Sequence, residues 1–300
     1  MRNRLIRALL KLRRLRSFLA QHGVPVGKLP RLKAAFWFVL RALRPKAPVL
    51  IEAQRSKMYV DPADEFLQLD LLASGVHEEA ETKAFCSLVE QGMTVVDVGA
   101  NIGYYTLLAA RLVGASGRVI ALEPSSANYR LLTQNVALNG YENVTVLNLA
   151  AGEKPGQVRL YLDPANFGNC SLSSANVPVG AGSEEVEVTT LDHLLDAGVF
   201  GGRVDLIKLD VQGAQGLVLR GAQRTLGRFR PKIMMEFASQ WLKGMGSSPL
   251  EIMNRLEPFG YSAYALNGSV GAATALARDQ ALAYCETHAV ANFLLRVGPA

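Results

Sequence analysis

An α/β fold built on a doubly wound, mainly parallel sheet is what this 300-residue sequence predicts, on three observations. From residue 94 onward, short β-branched runs alternate with helical patterns, the mark of consecutive βαβ units. The first run, Thr94–Val98, leads into a turn carrying Gly99 and Gly103 and then into a helix. The second run ends in an acidic residue, Glu123, 26 positions after Asp97. A strand–glycine-turn–helix junction of this kind opens a crevice at the carboxyl end of the sheet, where such folds bind ligands.

The elements follow in chain order. Residues 1–46 read as a basic helical extension: Leu5, Leu9, Leu12 and Leu19 form an apolar stripe opposite Arg7, Lys11 and Arg14, with Arg13 and Arg16 interrupting it. Arg44-Pro45-Lys46-Ala47-Pro48 reads as a linker. Residues 47–91 form a lead-in segment ending in a helical stretch around Glu79–Glu90, and the main domain is 92–300. Its first three strands are Thr94–Val98, Arg118–Glu123 and Val144–Asn148, separated by helices over about 103–113 and 128–139. Val158–Leu162 and Glu185–Thr189 flank a Gly/Asn/Ser-rich loop at 166–183 and read as a β-hairpin insertion. The sheet resumes with Val204–Leu209, a helix near Gln215–Leu226, and Lys232–Phe237. A final pair, around Tyr261–Leu266 and Val290–Val297, reads as an antiparallel edge.

Charge divides the chain sharply. The net +6 hides thirteen Lys and Arg with no acid in residues 1–46, leaving 19 basic and 26 acidic side chains beyond, a net of −7. A mildly acidic body excludes a protein that coats nucleic acid along its whole surface. The basic stretch instead suits an anionic lipid surface, a helix docked on the body through its leucines, or an organelle transit peptide without a marked cleavage site. No apolar run approaches the roughly 20 residues that span a bilayer. Cys86, Cys170 and Cys285 are scattered and form no C-x-x-C pair, and His22, His77, His193 and His288 are equally dispersed. The pattern fits a reducing cytoplasm, with contact at the inner membrane surface through 1–46, and no metal site.

The glycine turn narrows the ligand. A dinucleotide fingerprint G-x-G-x-x-G needs glycine at 101 and glycine or alanine at 104, where Asn101 and Tyr104 stand, so no glycine bed meets a pyrophosphate. S-adenosylmethionine carries a ribose and a charged amino acid but no phosphate. Asp97 can accept hydrogen bonds from an ammonium group, and Glu123 from the two ribose hydroxyls. Gly99 allows close approach of the backbone, Ala100 and Asn101 fill the turn, and Gly103 clears the helix start.

These residues resemble the FkbM-type methyltransferase family. The resemblance rests on Gly92–Tyr105 (G-M-T-V-V-D-V-G-A-N-I-G-Y-Y), Gly117–Pro124, Asn135–Gly140, Asn166–Leu172, Thr190-Leu-Asp192, Asp205–Gly213 (D-L-I-K-L-D-V-Q-G) and Pro231–Glu236, and covers roughly residues 75–240. It implies a class I Rossmann-like methyltransferase fold, S-adenosylmethionine as donor, and usually a hydroxyl on a sugar, glycolipid or other secondary metabolite as acceptor. One departure stands out. The family usually reads D-V-E-G-x-E after the fourth strand, and this chain has Asp210-Val-Gln212-Gly-Ala-Gln215. Glutamine keeps shape and a hydrogen-bonding oxygen but takes no proton.

A hydroxyl acceptor must lose its proton as it attacks, and Asp210 at the end of the fourth strand is the candidate base. Its alternative is a strand-end aspartate capping the next helix. Glu236 is the candidate for orienting the acceptor, or else pairs with a helix terminus. His193 is chemically suited to base catalysis but sits where a surface role is expected, and Cys170 reads as a filler. The loop Asn166–Ser174 is expected either to close over the acceptor or to be mobile. If the family's glutamate is a base, Gln212→Glu should raise the rate or alter its pH profile; with one carboxylate left near that turn, no divalent metal is required. A cofactor-binding protein without turnover and a nicotinamide-dependent oxidoreductase are the competing readings, the latter disfavoured by the 99–104 turn.

Overall fold

In a computed structural model of the chain, residues 47–266 and 273–298 are described, with isolated positions 38, 42 and 45 before them. The basic extension, 1–46, therefore lies outside the described residues except at those three positions. The described chain forms two compact units that divide at His77/Glu78. The first unit holds an antiparallel pair, β1 (Val49–Ala53) and β2 (Ser56–Val60), followed by helix α1 (Leu67–Ser74). Ile51, Met58, Val60, Leu69, Leu71 and Leu72 form its buried face.

The second unit opens with α2 (Glu79–Leu88), so the helical end of the lead-in belongs with the main sheet. Then come β3 (Thr94–Val98), α3 (Tyr104–Val113), β4 (Arg118–Leu122), α4 (Ser126–Leu138) and β5 (Val144–Leu147). A small insertion follows with β6 (Ala150–Ala151), β7 (Gly156–Leu162), a 3₁₀ turn at Ser174–Asn176 and β8 (Gly182–Thr189). After α5 (Leu191–Asp196) the main sheet resumes with β9 (Leu206–Leu209), α6 (Gln215–Arg220), α7 (Gln223–Phe229) and β10 (Lys232–Phe237). The chain continues through α8 (Ser239–Gly244), α9 (Pro249–Leu256), β11 (Tyr261–Leu266), β12 (Ala273–Leu276), α10 (Arg278–Thr287) and β13 (Ala291–Val297).

Eight strands form one sheet in the order β12-β11-β13-β10-β9-β3-β4-β5. The pairs from β10 through β9, β3 and β4 to β5 are parallel, and β13 runs antiparallel between β10 and β11. This is the doubly wound, mainly parallel sheet expected from the sequence, with an antiparallel edge. β3 is buried at all five positions and rich in valine, as a central strand covered on both faces must be. The insertion is the expected hairpin: β7 pairs with β8 from Gly156↔Val188 to Leu162↔Gly182, and β6 joins β8 in parallel to make three strands.

Two expectations need correction. The helix read over 215–226 is two helices broken at Gly221–Ala222. The Gly221 carbonyl accepts from Asp192 N at 2.9 Å, and the Asp192 carboxylate accepts from the N–H groups of Arg224 and Thr225, so a second helix is capped and started there. The antiparallel edge has three strands rather than two, since β12 pairs with β11 from Ala263↔Leu276. The core lies under the centre of the sheet, where Val96, Ile207, Ile233, Met235, Phe237 and Phe293 are at most 2 % exposed. Phe237 and Phe293 meet edge to face at 5.1 Å, an arrangement that adds roughly 0.5–1.5 kcal/mol to their burial.

Candidate active site

The strand order reverses at β3, with β4 on one side and β9 on the other, and a crevice therefore opens above their carboxyl ends. Four acidic residues stand at successive strand ends there: Glu123 after β4, Asp97 in β3, Asp210 after β9 and Glu236 in β10.

Asp97 is 1 % exposed and registers opposite Lys208 of β9. Thr106 Oγ1 donates to its Oδ2 at 2.6 Å, while Oδ1 is buried without a hydrogen-bond partner among the described residues. Burial pushes the Asp97 carboxyl above the ordinary aspartate range, against the pull of Lys208 and Thr106. An unpaired buried oxygen costs about 1–3 kcal/mol, so a donor supplied by a ligand would be strongly favoured there.

The turn after β3 is tied to the end of β4. Gly99 and Ala100 both donate their N–H to the Leu122 carbonyl at 3.0 Å. Asn101, in the left-handed region at φ 51, donates its N–H to Glu123 Oε2 at 2.8 Å, and its own Oδ1 accepts from Ile102 N at 2.7 Å. Glu123 Oε1 accepts from Ser125 N at 2.9 Å. Asn128 Nδ2 also donates to Oε1, at 3.5 Å, so the carboxylate anchors the turn with three donors and keeps lone-pair capacity for a ligand. Burial pushes Glu123 up to about 7 despite these donors. Gly99 has φ +84, and a Cβ on it would lie 1.9 Å from the Asp210 carbonyl oxygen. The close neighbour that demands glycine here is the backbone at the end of β9. At Gly103 a Cβ would meet Leu132 at 2.6 Å, so its missing side chain lets α3 pack on α4.

Sequence reasoning missed the residue that binds these carboxylates together. Lys208 is 6 % exposed, donates to Asp210 Oδ2 at 3.1 Å, and lies 4.4 Å from the centre of the Tyr105 ring. Burial alone works against its ammonium, but Asp210, Asp97 and Glu78 outweigh it and keep the lysine charged. The signal was present: a lysine inside the buried strand L-I-K-L must find a counter-charge. Beside it, Glu78, Glu81, Lys208, Asp210, Glu236 and Asn292 line a narrow cavity. Glu236 is pushed up to about 9 by burial, with Asp210 and Glu78 adding to the effect. Tyr105 Oη donates to Glu78 Oε2 at 3.3 Å, and Asn292 Nδ2 to Glu81 Oε1 at 3.0 Å. Glu78, Glu81 and Asn292 come from distant segments, and nothing local in the sequence marks them.

The two glutamines are placed by their amide nitrogens. Gln212 Nε2 donates to Asp210 Oδ1 at 3.2 Å, and Gln215 Nε2 to the Glu236 carbonyl at 2.9 Å. The polar loop of the insertion is pinned down over this end of the sheet. Asn128 Nδ2 donates to the Phe167 carbonyl at 2.9 Å, Ser171 Oγ to the Gln212 carbonyl at 3.2 Å, and Asn176 Nδ2 to the Gln212 and Trp241 carbonyls. Within the loop Cys170 donates to the Phe167 carbonyl, and burial pushes its thiol up, as befits a filler. His193 is exposed on α5, its N–H capped by Thr190 Oγ1 at 2.9 Å.

The donor set fits a cationic, hydroxyl-bearing cofactor. Asp97 and Glu123 offer acceptor oxygens on adjacent strands, one of them orphaned, and the turn between them holds no lysine or arginine for a phosphate. Among the described residues no group of three or more His, Cys, Asp or Glu is placed so that it could hold a metal ion.

The profile of the Methyltransferase FkbM domain matches residues 97–263. Methyltransferase 1 of Beauveria bassiana is 29% identical over 143 residues, 42% of this chain and 57% of that protein. Methyltransferase sdnD of Sordaria araneosa is 27% identical over 205 residues, 58% of this chain and 75% of that one. This chain therefore spans little more than half the length of the Beauveria relative. Among solved structures, the methyltransferase FkbM from Methylobacillus flagellatus aligns at 17% identity and a TM-score of 0.40, covering 75% of this chain and 52% of that one. The chain belongs to the FkbM family of S-adenosylmethionine-dependent methyltransferases.

Proposed function

We propose that this chain methylates a hydroxyl oxygen on a sugar, glycolipid or other secondary metabolite, with Asp210 as the general base. The observation that carries the reading is Asp210 itself, an ion-paired carboxylate beside the Asp97–Glu123 turn at the point where the strand order reverses. S-adenosylmethionine supplies a methyl group on a sulfonium, which departs as a neutral thioether.

The chain's own residues do the rest. Asp97, with its orphaned Oδ1, holds an ammonium group, and Glu123 accepts ribose hydroxyls. Gly99, Ala100, Asn101 and Gly103 shape the turn between them. Asp210 takes the proton of the acceptor hydroxyl as its oxygen forms the new bond to carbon, which leaves a neutral ether and a protonated aspartate. Glu236, protonated at neutral pH, donates a hydrogen bond that orients the acceptor. With Glu78 and Glu81 around it, the cavity beside Asp210 favours an acceptor that is neutral or cationic near its reacting hydroxyl.

The test is release of S-adenosylhomocysteine from S-adenosylmethionine across a panel of neutral glycosides, amino sugars and hydroxylated polyketides. Losing a general base costs typically 10²–10⁴-fold, so Asp210→Asn should lose that much turnover while cofactor affinity holds. Full activity in Asp210→Asn would move the base elsewhere, with Glu236 the next candidate. Chelation should leave the rate unchanged. Cofactor binding without turnover on any acceptor would favour a binding protein.

Residues 1–46, with their thirteen cations, form on this reading a peripheral contact with anionic membranes, each cation contributing about 1 kcal/mol near the surface. No helix among the described residues is long and apolar enough to cross a membrane. Sedimentation with phosphatidylserine vesicles should favour the full chain over a 47–300 truncation in a salt-sensitive way. Equal partitioning would remove the membrane contact.

A further inference from the structure

Asp210 is held from both sides. Lys208 Nζ reaches Oδ2 at 3.1 Å and Gln212 Nε2 reaches Oδ1 at 3.2 Å, so each oxygen of the carboxylate has one side-chain donor. The second donor is maintained at a cost. Gln212 sits in the left-handed region at φ 46, where a side chain rarely goes, and its Oε1 is buried without a partner among the described residues. A residue that merely filled space would need neither penalty. The strained backbone is itself fixed by the insertion loop, because the Gln212 carbonyl accepts from both Ser171 Oγ and Asn176 Nδ2 at 3.2 Å.

We infer that Gln212 is a positioning residue, whose amide works with Lys208 to clamp the Asp210 carboxylate and whose placement depends on the loop above it. The inference rests on the reading of Asp210 as the base. It also reverses the expectation drawn from the family pattern. A glutamate at 212 would offer an oxygen where Asp210 needs a donor, so two carboxylates would face each other at hydrogen-bond distance and push apart. Asp97 and Glu78 already add negative charge around Lys208 beside Asp210, and a further carboxylate would find no second cation among the described residues lining that cavity.

The experiment uses the full chain labelled with ¹⁵N-glutamine. The Gln212 side-chain amide signal, assigned by its loss in Gln212→Met, should be protected from exchange with water in the parent. In Asp210→Ala it should shift toward a free amide and exchange faster; an unmoved signal would overturn the clamp. Kinetics with the best acceptor of the panel then test the role. Gln212→Glu and Gln212→Met should lower kcat about tenfold or more, with acceptor KM and S-adenosylhomocysteine affinity within about twofold of the parent. Gln212→Gly relieves the left-handed strain yet removes the donor, so it should be stable and slow. A Gln212→Glu enzyme as fast as the parent, or a Gln212→Gly enzyme both stable and fast, would refute the positioning role. Full activity in Asp210→Asn would instead remove the base reading and leave the amide measurement standing by itself.

Discussion

Stability is expected to fall as the pH rises through the range where Glu123 loses its proton, and Glu123→Gln should remove that contribution. The side chain is 4 % exposed, and burial raises its proton affinity from the ordinary 4.5 to about 7 even though the Asn101 and Ser125 N–H groups donate to it. A folded-state value above the unfolded one means that the folded chain holds the extra proton. The associated stability is complete below about 4.5 and lost as pH rises through about 7. Between pH 5 and pH 8 the loss from this one group is roughly 2–3 kcal/mol. Glutamine is neutral throughout and retains a single carbonyl oxygen. One of the two backbone donors therefore loses its acceptor, at about 1–3 kcal/mol, but at both pH values alike. Urea denaturation of parent and variant, ligand-free, at pH 5 and pH 8 isolates the difference. The parent should lose roughly 2–3 kcal/mol more than the variant across that interval. Parallel pH dependence in the two proteins would refute the buried, proton-holding carboxyl.

Other outcomes follow from the same geometry. If ribose hydroxyls donate to Glu123, they favour its ionised form, so S-adenosylhomocysteine binding near pH 7 should release a fraction of a proton. Calorimetry in buffers of different ionisation heat should detect that release in the parent and not in Glu123→Gln. Gly99→Ala drives a Cβ to 1.9 Å from the Asp210 carbonyl oxygen at φ +84. Overpacking and strain together should cost about 2–5 kcal/mol in urea denaturation, and a neutral result would mean that the two strand ends can separate freely. Asn176→Ala removes the amide that ties the loop to the Gln212 and Trp241 carbonyls. It should cost about 1–3 kcal/mol and speed limited proteolysis within 163–181, while unchanged cleavage would leave the loop's anchoring to Asn128 and Ser171.

What the sequence shows of this protein divides by range of interaction. The β3 turn, Glu123 at the end of β4 and the alternation of strand and helix are local patterns, and they were legible because each element carries its own period and punctuation. The break at Gly221 was not, since it answers to Asp192 in another helix, which donates to the Gly221 carbonyl and caps the helix that follows. Lys208 lay between the two. Its burial could be read from the apolar run around it, but its partners Asp97, Tyr105 and Glu78 arrive from other elements. The glutamines show why residue type alone misleads. Taken as a loss, Gln212 and Gln215 look like carboxylates that gave up their chemistry. In the folded chain both amides donate, one to Asp210 and one to the Glu236 carbonyl, which a carboxylate at either position would not do. A strand end where Asp97, Asp210, Glu78 and Glu81 gather around one lysine is short of positive charge and of donors. Two neutral donors at 212 and 215 ease that shortage without adding to the charge, so the departure from the family pattern fits the particular set of acids this chain brings together.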